Sequence, residues 1–61
     1  MESKLKELRT QRHLSQQELA DASGVSRATI ANIELGNQKN IMTGTLVKLA
    51  DALGVSAREL V

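Results

Sequence analysis

The chain has 61 residues, with 8 basic and 7 acidic side chains, one histidine, no cysteine and no Phe, Trp or Tyr. This length allows one domain over residues 1–61. The absence of cysteine excludes disulfides and thiolate metal sites, and the absence of aromatic side chains means that the core must be aliphatic. A net charge of +1 leaves a nucleic-acid partner open, since such binding depends on where the charges lie. With no bilayer-length apolar run and no secretory signal, we expect a cytoplasmic protein without a membrane partner.

The first predicted helix covers about residues 2–12, and its apolar spacing turns Leu5 and Leu8 toward the core. Histidine tolerates the left-handed backbone region better than most residue types. We therefore expect this helix to end at His13.

The second predicted helix begins with a capping box, the sequence SQQE at residues 15–18. In this motif Ser15 and Glu18 each accept a hydrogen bond from the other's backbone N–H. The helix is expected to end at Gly24. Its predicted buried residues are Leu19, Ala20 and Ala22.

The third predicted helix, about residues 26–35, has Ser26 as its N-cap and stops at Gly36. Ile30 and Ile33 have the i, i+3 spacing of side chains that face a core.

The fourth predicted helix runs from about residue 43 or 44 to residue 53. The tripeptide GVS follows at residues 54–56, as it does at 24–26, and Ser56 with Glu59 has the spacing of another capping box. We therefore predict a fifth helix and an all-α fold without strands. The buried residues of the fourth helix should be Leu46, Leu49, Ala50 and Leu53.

Residues 15–35 have the residue types that a helix-turn-helix motif needs. Ala20 allows two helix backbones to approach, Gly24 supplies a positive φ, and Val25 fills the angle between the helices. The alternative is an ordinary α-hairpin with a solvated outer face. Agreement of several positions within one short window favours the helix-turn-helix. The outer face of the third helix then presents Arg27, Ala28, Thr29, Ala31 and Asn32.

The segments LSQQELA (14–20), GVSRATIANIE (24–34) and LADALGVS (49–56), together with Gly36, resemble the lambda-repressor-like, or Xre-type, family. The resemblance implies a compact five-helix DNA-binding domain whose third helix enters the major groove. One departure is the loop 37–42, which lacks the proline that often precedes the fourth helix in relatives.

Two side chains of the third helix have the chemistry of base recognition. Arg27 can donate two hydrogen bonds to guanine, and Asn32 can pair in the same bidentate way with adenine. Thr29 can touch a thymine methyl group or a phosphate, whereas Ala28 offers only a methyl group. For Arg27 and Asn32 the alternative is a phosphate contact or a solvated side chain.

A second group of residues is predicted to contact phosphates. Gln16 lies in the first turn of the second helix, where the helix dipole favours an anion, and the resemblance implies the same contact. The resemblance also points to Lys39 and Asn40, with Thr43 beside them, although each could be a solvated surface residue. The complete predicted DNA-binding set is Gln16, Gln17, Ser26, Arg27, Ala28, Thr29, Asn32, Lys39, Asn40 and Thr43.

The resemblance further implies a structural clamp between Arg9 of the first helix and Glu34 of the third. The alternative is two independent surface charges, since many exposed pairs contribute nothing measurable. His13 has no second ligand at metal-binding spacing, so we predict no metal site, and we expect no cofactor.

Together these patterns predict a transcriptional regulator, expected to be a repressor, that binds double-stranded DNA sequence-specifically. One recognition helix distinguishes few base pairs, so we expect a homodimer on a palindromic operator. Candidate apolar residues for that pairing are Leu35, Leu60 and Val61.

The same residues bear on three other functions. An enzyme is the weakest alternative, because His13 has no plausible nucleophile and orienting acid beside it. An antitoxin of this fold should carry an additional toxin-binding segment, and we identify none in the sequence. A protein-interaction module of the multiprotein-bridging type would favour apolar or aromatic anchors where Arg27 and Asn32 stand. The antitoxin and the interaction module remain the alternatives.

Overall fold

The computed structural model describes residues 4–36 and 41–60, which form four α-helices and one short 3₁₀ helix, without a strand among them. The all-α prediction is confirmed. Glu2, where the first helix was expected to start, lies outside the described residues. In chain order the elements are α1 (Lys4–Gln11), α2 (Gln16–Ser23), α3 (Arg27–Glu34), α4 (Thr43–Leu53) and the 3₁₀ helix (Ala57–Leu60).

The expected fifth α-helix is wrong, because the final described element is a single 3₁₀ turn. The backbone N–H of Glu59 donates to the carbonyl oxygen of Ser56 at 3.0 Å, which is the tighter i→i+3 pattern. The predicted capping box is only half formed there. The Glu59 carboxylate accepts from the Ser56 N–H at 3.1 Å, but the Ser56 hydroxyl does not receive the reciprocal bond.

The predicted end of α1 and both predicted ends of α2 are confirmed. His13 has a φ of 56°, in the left-handed region, and the capping box of Ser15 and Glu18 has both of its hydrogen bonds. Gly24 ends α2 with a φ of 76°, and its N–H donates to the carbonyl oxygen of Ala20 at 2.9 Å. These signals are local, so the sequence alone was enough to place them.

Aliphatic side chains from all four α-helices meet in one core. Two predictions about burial need correction. Ala22 is exposed, because at about 100° per residue it points away from the stripe centred on Leu19 and Ala20. Leu46 is only half-buried, since it lies in the first turn of α4, whereas the buried residues Leu49, Ala50 and Leu53 lie further along the helix. The buried apolar residues are Leu5, Leu19, Ala20, Val25, Ile30, Ile33, Leu49, Ala50 and Leu53.

The packing places α2 against both α3 and α4, while α1 packs against α3 and the 3₁₀ helix. Leu8 and Leu60 are half-buried and pack against the core, so Leu60 is less available for dimer formation than expected. Leu35 is 74% exposed, and Val61 lies outside the described residues. None of the helices in residues 4–36 and 41–60 has the length and apolar character that a membrane span needs.

Candidate nucleic-acid interface

The connection between α2 and α3, residues 24–26, is short and is held by several hydrogen bonds. After the left-handed Gly24, the N–H of Val25 donates to the Ser23 hydroxyl at 3.1 Å. The Ser26 hydroxyl then accepts from the N–H of Thr29 at 3.1 Å and caps α3, as predicted. Because Val25 is buried beneath this turn, α3 is fixed at a definite angle to α2.

The two faces of α3 differ sharply in burial. Ile30 and Ile33 are buried in the core, whereas Arg27, Ala28 and Asn32 are exposed. Thr29 and Ala31, predicted to face outward, are half-buried. Within the described residues, neither Arg27 nor Asn32 uses its side chain in an intramolecular hydrogen bond or ion pair. Both side chains are therefore available to an external partner.

The hydroxyl groups of Ser26 and Thr29 form a short chain of hydrogen bonds. The Ser26 hydroxyl donates to Oγ1 of Thr29 at 2.8 Å while it accepts from the Thr29 N–H. Its proton is thus used inside the protein, and the structure assigns Ser26 a capping role. The hydroxyl proton of Thr29 is not used in this chain and remains available for donation.

The helix N-termini differ in how their N–H groups are used. At α2, the capping box occupies the N–H groups of Ser15 and Glu18, at 2.8 and 3.0 Å. At α4, the N-cap residue Met42 supplies no side-chain hydrogen bond, and Thr43 is exposed in the first turn. The first turn of α4 is therefore the more open of the two to an anion.

Three side chains form a partly buried group that we call the clamp cluster: Arg9, Glu34 and Gln16. Nε and Nη2 of Arg9 donate to the two carboxylate oxygens of Glu34, at 2.7 and 3.0 Å. Nη1 of Arg9 donates to the carbonyl oxygen of Leu14 at 2.6 Å. Only 11% of the Arg9 side chain and 4% of the Glu34 side chain are exposed. The ion pair thus ties α1 and the turn after it to the last turn of α3.

The clamp cluster shifts the protonation equilibria of both charged groups. Burial by itself would raise the pKa of Glu34, but hydrogen bonds from Arg9 and Gln16 and the charges of Arg9 and Lys6 outweigh it, so the pKa is lowered. The hydrogen bond to Glu34 raises the pKa of Arg9. Burial by itself would lower this pKa, but the negative charge of Glu34 also raises it. Both groups are charged near neutral pH.

The sequence did not predict the hydrogen bond that Gln16 makes within the protein. Its Nε2 donates to Oε1 of Glu34 at 3.1 Å, across 18 residues of sequence. No local sequence pattern predicts a hydrogen bond between residues so far apart in the chain. Gln17 donates to Asp21 at 3.0 Å, one turn along α2. Lys39 and Asn40 lie outside the described residues, and the DNA contacts assigned to the ten predicted residues stay predictions.

A sequence profile of the helix-turn-helix family matches residues 5–60. The chain therefore belongs to the helix-turn-helix family, in its lambda-repressor-like (Xre-type) form, which confirms the resemblance. Among solved structures, the restriction-modification controller protein C.AhdI from Aeromonas hydrophila matches with a TM-score of 0.87 and 41% identity. That match covers 95% of this chain and 86% of the other. A search of curated protein sequences finds no match. The chain is thus a DNA-binding regulator of transcription, not an enzyme, and its partner is double-stranded DNA.

Proposed function

We propose that this chain is a cytoplasmic repressor that recognises a specific operator by placing α3 in the major groove. The observation that carries the proposal is the exposed face of α3. Arg27 and Asn32 stand there without intramolecular partners in the described part of the chain, while Ile30 and Ile33 anchor the opposite face. Both side chains can make bidentate contacts to base edges.

The remaining predicted contacts would orient the protein on the DNA backbone. Hydrogen bonds to phosphates fix register and carry little sequence information. We assign that role to Gln16 and Gln17 in the first turn of α2 and to Thr43 in the open first turn of α4. Lys39 and Asn40 would contribute from the loop between α3 and α4. In this proposal the DNA-binding domain spans residues 1–61, with its helix-turn-helix at about residues 15–35.

We further propose that two copies bind a palindromic operator. A single α3 with two or three base-reading side chains specifies too few base pairs to find one site in a genome. Two-fold symmetry places two recognition helices in successive major grooves, about 34–36 Å apart.

A more specific candidate concerns the regulated genes. The relative C.AhdI is a restriction-modification controller protein, and it is 41% identical to this chain over nearly its whole length. We therefore propose that this chain controls the genes of a restriction-modification system. Binding to the DNA upstream of such genes, but not to shuffled DNA of equal composition, is the expected result.

Selection of bound sites from random duplex DNA tests the main proposal. We expect a two-fold symmetric consensus for the unmodified protein and a degraded consensus for Arg27→Ala and Asn32→Ala. Arg58→Ala, which removes an exposed arginine from the 3₁₀ helix, is the charge-matched control and should leave the consensus unchanged. Failure to enrich any sequence would remove the proposal and favour the antitoxin or protein-interaction alternatives.

A further inference from the structure

The side-chain amide of Gln16 joins the clamp cluster to the residues that we propose to contact DNA. Its Nε2 donates to Oε1 of Glu34, an oxygen that also accepts from Nη2 of Arg9. Glu34 is poorly placed to contact DNA itself, because only 4% of its side chain is exposed. Gln16 is half-buried, so part of its side chain remains reachable from solvent.

The chemistry of the bond fixes the direction of the Gln16 amide. A carboxylate such as that of Glu34 only accepts hydrogen bonds, so the amide nitrogen, not the oxygen, must face it. That nitrogen has two hydrogens, and Glu34 takes one of them. The second N–H is therefore held in a defined direction. A DNA phosphate also only accepts, which makes this N–H its complementary group.

The charges around the Gln16 amide favour a phosphate, although the Glu34 carboxylate lies beside it. Arg9 and Lys6 contribute two positive charges against the single negative charge of Glu34. Ala31 contributes only a methyl group to the same groove and so takes up little of its space. The shallow groove at this place is lined by Lys6, Arg9, Gln16, Ala31, Glu34 and Leu35.

We propose that Glu34 is a positioning residue for DNA binding, which holds the Gln16 amide so that its second N–H donates to a DNA phosphate. The inference rests on the Gln16–phosphate contact proposed above and adds the group that orients it. Arg9 keeps the Glu34 carboxylate in place by its two hydrogen bonds. The ion pair that ties α1 to α3 thus also helps to orient a side chain of the DNA-binding surface.

A double-mutant cycle tests whether Glu34 acts through Gln16. Affinity for a selected operator is measured for Gln16→Ala, Glu34→Gln and the double variant, at a temperature where circular dichroism shows each to be folded. We expect each single change to weaken binding about 3- to 10-fold, the effect of one lost hydrogen bond, and the double variant to bind no more weakly than the weaker single variant. Losses that multiply would overturn the proposal. Glu7→Gln and Gln11→Ala, both exposed on α1, are the matched controls.

The Gln16 side-chain amide gives a second readout that needs no DNA. In the unmodified protein, one of the two Nε2 protons should exchange with solvent more slowly than the other and more slowly than those of Gln11. In Glu34→Gln, the two resonances should move toward those of an exposed glutamine. Equal and fast exchange of both protons in the unmodified protein would overturn the proposal.

Loss of the Gln16–phosphate contact and loss of the Glu34 positioning role give different results. If Gln16→Ala binds the operator as tightly as the unmodified protein, the phosphate contact and the positioning role are both overturned. Base recognition by α3 is judged independently, by Arg27→Ala and Asn32→Ala. If Gln16→Ala weakens binding but Glu34→Gln does not, only the positioning role is overturned.

Discussion

At the scale of single residues, the exposed side chains of α3 should set operator preference. Arg27→Ala and Asn32→Ala are each expected to cost about 1–3 kcal/mol of specific binding and to relax preference at one base pair. The reason is the loss of bidentate hydrogen bonds to a base edge. Titration against a panel of single-base-pair operator variants measures both effects. Unchanged affinity and preference in both variants would show that another surface reads the bases.

The ion pair of Arg9 and Glu34 should dominate the response of stability to substitution. Arg9→Met leaves the Glu34 carboxylate buried without its partner, a loss that typically costs about 3–5 kcal/mol. This is a large part of the roughly 3–9 kcal/mol expected for a chain of this length. Arg12→Met makes the same substitution at an exposed position of the turn after α1 and should cost far less. Equal thermal midpoints for the two variants would contradict the structural clamp.

The lowered pKa of Glu34 predicts how stability depends on pH. A carboxyl group with a lowered folded-state pKa stabilises the fold above its ordinary value of 4.5, and this contribution is lost as the pH falls from there through the folded-state value. Glu34→Gln should therefore flatten the decline of the unfolding free energy below about pH 4.5. Glu7→Gln is the control and should keep the decline of the unmodified protein. Denaturant titrations at several pH values between 2.5 and 7 compare the two.

At the scale of helices and turns, the two serine N-caps offer a matched comparison. Ser15 accepts a hydrogen bond from the Glu18 N–H, whereas the Ser56 hydroxyl has no such bond in the described residues. Ser15→Ala should therefore lower the unfolding free energy by about 1 kcal/mol, and Ser56→Ala should change it by less than about 0.5 kcal/mol. Chemical denaturation measures both. A larger effect at Ser56 would mean that the complete capping box forms at the 3₁₀ helix as well.

The elements that the sequence predicts correctly are those with local causes. A capping serine, a left-handed residue and i, i+3 apolar spacing act within one helical turn, so α2 and α3 could be located in advance. The 3₁₀ helix could not, because the same serine and glutamate spacing fits both a capping box and an i→i+3 turn. The Gln16–Glu34 bond could not either, since it depends on how α2 and α3 pack. The ion pair of Glu34 with Arg9 could be predicted only from the resemblance to a family.

At the scale of the whole molecule, the exposed large apolar side chains in residues 4–36 and 41–60 are Leu35, Met42 and Val47, which are three single residues on different parts of the chain. Leu35 is 74% exposed, but Leu60 packs against the core. Stable interfaces usually bury about 1,200–2,000 Å² in total, more than these single side chains offer. We therefore expect a monomer in dilute solution that pairs on a two-fold symmetric operator.

Sedimentation velocity with and without a palindromic duplex measures the stoichiometry directly. The expected result is one sedimenting species for the free protein and a complex of two protein chains with one full duplex. The matched control is a duplex with a single half-site, which should bind one chain more weakly. A complex with one chain on the full palindrome, as tight as on the half-site, would contradict pairing.

The division of α3 into a buried and an exposed face has a consequence for how such a regulator acquires new targets. Positions 27, 28 and 32 are exposed, and Ile30 and Ile33 alone of this helix are buried in the core. Exchange of the three exposed side chains should alter binding preference with little change in folding, as surface substitutions usually do. A library randomised at those three positions is therefore small, and regulators that do not bind one another's operators could be selected from it.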